Sequence, residues 1–184
     1  MNKHIIIAGS PRAGKTTLSR KIIERFPRYT HYKMDSIKRA VFDIFYPGNS
    51  DWHVASKIVS RIIKKIVDDN KQESTQNELF IFDTPHLYPE DLKDFDKNEY
   101  LIVFIGYTEI SVKEKTEEIL KYDKDTCWTQ KLDREKLEEL VKGNIEFSKE
   151  IRSQCRKYGL KYFDMSNNLP RTIERVKAFI VDNN

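Results

Sequence analysis

The sequence predicts an open α/β sheet whose parallel strands are joined by right-handed helical crossovers. Three observations carry that expectation. Short apolar runs alternate along the chain with segments of helical spacing. Most of the apolar runs are hydrophobic on successive residues and not on alternate ones, which is the pattern of strands covered on both faces. A glycine-containing turn follows the first run directly and opens into a helical pattern.

The strand expectations, in order, are His4 to Ala8, His31 to Met34, Leu79 to Phe82, Tyr100 to Ile105 and Leu160 to Phe163. Between them, Thr16 to Phe26 places Leu18, Ile22 and Ile23 on one helical face, and Ser36 to Phe45 does the same with Ile37, Val41 and Ile44. From Trp52 to Val67 the residues Val54, Ile58, Ile62 and Ile66 recur every fourth position, giving a single apolar stripe. Further helices are expected at Ser111 to Tyr122, Leu132 to Tyr158 and Pro170 to Val181, the last opening on a proline. Pro47, Gly48, Asn49 and Ser50 separate two helices, and the polar stretch Asp68 to Glu78 reads as a solvated loop before the third strand. Neither is long enough to link domains, so residues 1–184 are expected to form one domain.

At 184 residues the chain is long enough to bury roughly 70% of the surface its unfolded form exposes. No apolar run approaches the roughly 18 residues of a membrane span, and the N-terminal residues do not form a secretory signal. A cytoplasmic location is expected. Cys127 and Cys155 form no CxxC pair and no metal cluster with the four histidines. The net charge of +4 is a mild bias that suits anionic ligands without demanding nucleic acid.

Gly9, Gly14, Lys15 and Thr16 satisfy G-x-x-x-x-G-K-[ST], with a strand before and a helix pattern after. A loop wrapped round phosphates must turn its backbone N–H groups inward, which requires conformations and close approaches that a Cβ obstructs. Lys15 has the charge to sit between the terminal phosphates of a nucleotide, Thr16 has the hydroxyl to ligate Mg²⁺, and the helix that follows adds its positive end. A second metal-side group is wanted, and Phe80-Ile81-Phe82-Asp83 supplies a carboxylate at the end of an apolar strand. Asp83 also fits the cap of a turn at Thr84-Pro85.

On these residues the chain resembles the small P-loop kinases of the adenylate kinase, shikimate kinase and gluconate kinase type. The resemblance implies a three-layer α/β fold with a five-stranded parallel sheet in the order 2-3-1-4-5, helices on both faces, a substrate-binding segment at about 36–76 and a small lid at about 121–134. It implies ATP and Mg²⁺ as cofactors and a small-molecule acceptor. Gly9, Ser10, Pro11, Arg12, Ala13, Gly14, Lys15, Thr16 and Thr17 match the ATP-phosphate loop, with Thr16 and Asp83 on the metal. Asp35, after Tyr32-Lys33-Met34, matches the carboxylate at the end of strand two that contacts the phosphate acceptor. Asp164-Met165-Ser166-Asn167-Asn168 matches the loop that passes the adenine, with Asn167 the candidate contact. Nucleoside-monophosphate kinases follow the strand-three Asp with Gly and soon place an Arg; Asp83-Thr84-Pro85-His86 offers neither. No N-K-x-D sequence for guanine appears, Asp96-Lys97-Asn98-Glu99 being a scrambled relative.

With an alcohol acceptor, Asp35 orients the hydroxyl and takes its proton as the γ-phosphoryl arrives. Asp35 or Ser36 also fits a helix N-cap, and the two roles are compatible. Phe42, Phe45, Tyr46, Trp52 and His53 supply aromatic surface between strands two and three, and His86, beside Pro85 at the strand-three exit, is a candidate substrate contact whose simpler reading is a solvent-facing loop residue. In the expected lid, Lys131 or Arg134 would bring cationic charge to the transferring phosphoryl, with Arg12 in the loop and Arg152 as further sources. The expected activity is transfer of the γ-phosphoryl of ATP to a nucleoside, nucleotide or other metabolite. The alternatives are a nucleotide-responsive binding module and a kinase acting on polynucleotide ends. The sequence sets no oligomeric state.

Overall fold

The computed structural model describes residues 3–73, 78–123 and 127–184. In chain order the elements are β1 (His4–Gly9), α1 (Lys15–Arg25), β2 (Tyr29–Lys33), α2 (Met34–Phe45), α3 (Trp52–Glu73), β3 (Leu79–Asp83), β4 (Tyr100–Gly106), α4 (Val112–Tyr122), α5 (Arg134–Tyr158), β5 (Lys161–Asp164) and α6 (Leu169–Asn183). The strands form one five-stranded sheet in the order β2-β3-β1-β4-β5, and every pairing is parallel.

Two cores explain the consecutive apolar residues of the strands. Ile5, Ile7, Ile81, Val103 and Ile105 pack on one face with Leu18 and Ile22 of α1 and Ile173 and Val176 of α6. Their neighbours Ile6, Ala8, Phe80, Phe82, Ile102 and Phe104 pack on the other with Val59, Ile63 and Val67 of α3. Each side chain removed from water in this way contributes about 1.5–3 kcal/mol, so a strand buried on both faces is favoured only with apolar residues at both parities. Helix α5 serves both cores, Leu137, Val141 and Ile145 joining the first and Ile151 and Cys155 the second.

Several boundaries differ from expectation, two of them with structural consequences. Strand β2 runs from Tyr29 to Lys33, so Met34 opens α2 and Asp35 lies in the first helical turn, neither at a strand end nor at the N-cap. Met34 is fully buried in the α3-side core, which fixes the chain reversal, and a carboxylate in the first turn meets the positive helix end. Helix α3 continues through Glu73, taking in residues expected as loop. The pairs Lys65–Asp69 within the helix and Lys71–Glu99 across to the β4 approach support those polar turns. Residues 74–77 of the same expected loop lie outside the described residues.

With all strands parallel, their carboxyl ends share one edge of the sheet. Strand β1 sits between β3 and β4, and the chain leaves it toward β2 first and later toward β5. That is a topological switch point, where connections diverge and leave a crevice beyond the strand ends.

Candidate active site

The turn from β1 to α1 sits at that switch point. Gly9 has φ 116°, and a Cβ there would lie 2.0 Å from the Ile105 carbonyl oxygen, so only glycine lets the loop pass so close to β4. Gly14 caps α1 in a left-handed conformation. Arg12 also holds a positive φ, 58°, unusual for a residue with a side chain. The loop is braced from behind. The Ser10 amide donates to the Ile105 carbonyl at 2.9 Å, its hydroxyl donates to the Asn144 carbonyl at 3.1 Å, and the Tyr107 hydroxyl donates to the Pro11 carbonyl at 2.9 Å. Lys115, itself buried, lies over the Tyr107 ring at 4.3 Å and pairs with Glu118.

Lys15 is almost wholly buried, and its ammonium donates to the Gly9 and Ser10 carbonyls at 3.1 and 2.8 Å. Burial lowers its pKa to about 8 against the opposing fields of Asp83 and Asp35. Desolvation disfavours the charged form, so an arriving polyanion would find an under-compensated cation. The Thr16 hydroxyl donates to Asp83 Oδ2 at 2.7 Å, and His31 Nε2 lies 3.6 Å from the same oxygen. A buried carboxylate beside the hydroxyl of the Lys-Thr pair fits a hard cation held by oxygen ligands. No group of three or more His, Cys, Asp or Glu able to hold a metal occurs among the described residues, so such a cation would depend on phosphate and water for its other ligands.

Asp35 stands across the crevice on α2. Burial raises its pKa; the field of Lys15 opposes the shift and that of Asp83 adds to it. His86 Nε2 is 3.8 Å from Asp35 Oδ1, with the Trp52 ring 4.8 Å from the imidazole. The expectation of a solvent-facing His86 is therefore corrected. Its side chain is only 16% exposed, because Trp52 covers it and its backbone N–H is tied to Thr84 Oγ1 at 3.0 Å. The aromatic residues of the same segment do not converge. Phe42 is buried against Lys38 and Tyr46, Phe45 is 70% exposed, exposed His53 stacks on Tyr88, and Trp52 alone among them reaches His86.

On the opposite side, Arg12 is joined to the expected lid. Its guanidinium donates to Asp123 Oδ1 at 3.2 Å and Thr129 Oγ1 at 3.0 Å and lies 5.7 Å from the Trp128 ring centroid. Thr129 bonds to Asp123 in turn. Lys124, Asp125 and Thr126 of the expected lid lie outside the described residues. Arg134 is exposed and paired with Glu117 and Glu138, Lys131 is exposed, and Arg152 bonds to Thr108 and Glu109 beside Asp164. Among the described residues, Arg134 and Arg152 pair with polar and acidic neighbours and not with the phosphate loop. Asn167 is exposed in the β5–α6 connection, where its carbonyl accepts from Thr172 Oγ1. That connection lies beside the loop, since Leu169 and Ile173 pack within 3.4 Å of where a Gly14 Cβ would be. His31 and Lys115 were not legible as site residues. Each is a single residue whose relevance comes from its partners, Asp83 for His31 and Tyr107 and Glu118 for Lys115.

No family model matches the chain, and no curated protein sequence matches it. Solved structures do. A shikimate kinase from Acinetobacter baumannii, in complex with shikimate, is 16% identical at a TM-score of 0.58, covering 100% of this chain and 95% of that one. The chain has the small P-loop kinase fold. A shikimate kinase from Bacteroides thetaiotaomicron aligns at TM-score 0.62 with 12% identity, over 97% of this chain and 98% of its own. A gluconokinase from Sinorhizobium meliloti 1021 aligns at 0.58 with 14% identity, over 98% and 94%. At such identities the P-loop kinase likeness concerns the fold, and chemistry has to be argued from the site. No helix among the described residues is long and apolar enough to cross a membrane.

Proposed function

We propose that the chain is an ATP- and Mg²⁺-dependent phosphotransferase that moves the γ-phosphoryl of ATP to a hydroxyl of a small metabolite. One observation carries the reading: Lys15, the Thr16–Asp83 pair and Asp35 come from three separate elements to one crevice, near enough that Asp83 and Asp35 both act on the Lys15 ammonium and that Lys15 and Asp83 act on Asp35. The similar structures, named for kinases of shikimate and gluconate, support an alcohol acceptor.

The loop from Gly9 to Thr17 would receive the phosphates, with Lys15 exchanging its two carbonyl partners for phosphate oxygens. Thr16 and Asp83 would hold Mg²⁺, which offsets charge on the transferring group. Asp35 orients the acceptor hydroxyl and takes its proton, a role helped by the upward shift that burial gives its pKa. Arg12, already anchored on the 121–134 segment, is the cation best placed to link the loop to a closing lid. The β5–α6 connection around Asn167 would face the adenine, and the α2–α3 segment would form the acceptor wall.

Phosphorus NMR of ATP, Mg²⁺ and a panel of hydroxyl acceptors beginning with shikimate and gluconate tests the reading. ADP and a new phosphate ester are expected, with loss of the ester in Asp35→Asn. Nucleotide binding with no ester from a broad panel would contradict it. The Arg12 contacts also favour a second reading, in which ATP sets the lid for a binding partner. There, nucleotide-dependent partner affinity would survive Asp35→Asn.

A further inference from the structure

We propose that His86 is the second group that grips the acceptor hydroxyl: the hydroxyl donates its hydrogen to Asp35 and receives the Nε2–H of His86. The assignment rests on the phosphotransferase reading above and deepens it, naming a binding residue and the chemistry it selects.

The distance is the first argument. His86 Nε2 and Asp35 Oδ1 are 3.8 Å apart, too far for a direct hydrogen bond, yet both lie within about 2.8 Å of a single oxygen placed between them. Asp35 Oδ1 and His86 Nδ1 are buried and without a hydrogen-bond partner among the described residues. Buried polar groups are ordinarily paired, and a buried carboxylate oxygen without a partner marks a place for a ligand group.

The imidazole is also held still. Trp52 packs on it at 4.8 Å, the Thr84 hydroxyl accepts its backbone N–H, and the residues on either side, Pro85 and Leu87, are buried. The charges that face it are Asp35, Lys38 and Arg39 from α2 and Lys15 from α1; Trp52 from α3 is neutral. Burial first, and then Lys38, Lys15 and Arg39, push the His86 pKa down to about 4, so the ring is neutral near neutral pH. A neutral imidazole has one N–H and one lone pair, and the Asp35 carboxylate draws the N–H to Nε2.

The pair then presents one acceptor and one donor, the complement of a hydroxyl. A phosphate or carboxylate oxygen carries no hydrogen for Asp35 and meets its charge, so the same geometry disfavours anionic acceptor groups. In the transfer, the acceptor oxygen forms a bond to the γ-phosphorus and the bond from that phosphorus to the β-bridging oxygen breaks. ADP leaves with the electron pair, and the hydroxyl proton passes to Asp35. His86 keeps its own proton throughout and aims the oxygen lone pair.

The test uses the full chain and water, the simplest hydroxyl, as acceptor. Imidazole nitrogen NMR should show His86 neutral at about pH 7 as the Nε2–H tautomer, with its resonances displaced in Asp35→Asn. In slow ATP hydrolysis with Mg²⁺, His86→Gln, whose amide still donates, should remain within about threefold of wild type, whereas His86→Phe should fall about tenfold or more at unchanged nucleotide affinity. An Nδ1–H tautomer overturns the proposal, as does a folded His86→Phe variant that hydrolyses like wild type. A wild-type protein that binds no nucleotide would contradict the phosphotransferase reading instead, and the tautomer and its response to Asp35→Asn then decide the pair independently.

Discussion

The two walls of the crevice differ in how their polar groups are satisfied. On the phosphate-loop wall, the Lys15 ammonium, the Ser10 hydroxyl and the Thr16–Asp83 pair all have partners within the protein. On the acceptor wall, Asp35 Oδ1 and His86 Nδ1 are buried without hydrogen bonds among the described residues. The functional side chains of the first wall are held in place before any ligand arrives, which suits a part of the substrate that does not vary. The second holds its polar groups open at a cost in stability, about 1–3 kcal/mol for each group left unpaired. Under the proposed function an acceptor hydroxyl on Asp35 Oδ1 offsets part of that cost, and the acceptor wall is where specificity would be decided.

The largest effects should come from removing the charged group of either wall. Lys15→Ala should lower ATP turnover by about a hundredfold or more, with weakened nucleotide binding. Asp35→Asn should lower turnover by about 10²–10⁴ while nucleotide affinity stays within a few-fold, since Asp35 lies on the acceptor side and reaches Lys15 only through its field. Steady-state kinetics beside calorimetry separate the two; equal loss of nucleotide affinity in both variants would break the comparison.

Next comes the backbone of the loop. Gly9→Ala places a methyl group 2.0 Å from the Ile105 carbonyl oxygen at a φ of 116°. A loss of about 3 kcal/mol or more is expected, a fall in Tm of about 10 °C, read by thermal denaturation. Tyr107→Phe removes one hydrogen bond to Pro11 and should cost about 1 kcal/mol, with a small loss of ATP affinity.

The acceptor wall has a pH signature. The folded-state pKa of His86 is lowered from 6.5 to about 4, chiefly by burial. Between those values the unfolded chain binds more protons, so this residue's part of the stability is intact above 6.5 and is lost as pH falls toward about 4. Denaturant titrations should show wild type losing about 1–2 kcal/mol more than His86→Gln between about pH 7 and about pH 5. Equal losses would place the imidazole in solvent.

The phosphate-loop wall was legible because its groups are contiguous. Strand, turn and helix N-terminus bring Gly9, Lys15 and Thr16 together within one turn of chain, and the residue types alone state the chemistry. Asp35 was legible as a residue but not as an element: Met34, buried under α3, ends the strand one residue early and puts the carboxylate in a helix. The pairings of the acceptor wall and of the 121–134 segment were hidden for a different reason. His86 becomes a site residue only because α3 lays Trp52 over it, and Arg12 meets Asp123 and Thr129 more than a hundred residues along the chain. Such pairings are set by the packing of the sheet and leave no local pattern. Arg134, which has a suitable charge and position in sequence, spends its contacts on Glu117 and Glu138.

The most direct measurement is calorimetric titration of the full chain with Mg²⁺ and a non-hydrolysable ATP analogue, alongside Lys15→Ala. Saturable binding to wild type, weakened about tenfold or more in the variant, is the result this account requires. No heat of binding to wild type, or equal affinity in both proteins, would contradict it.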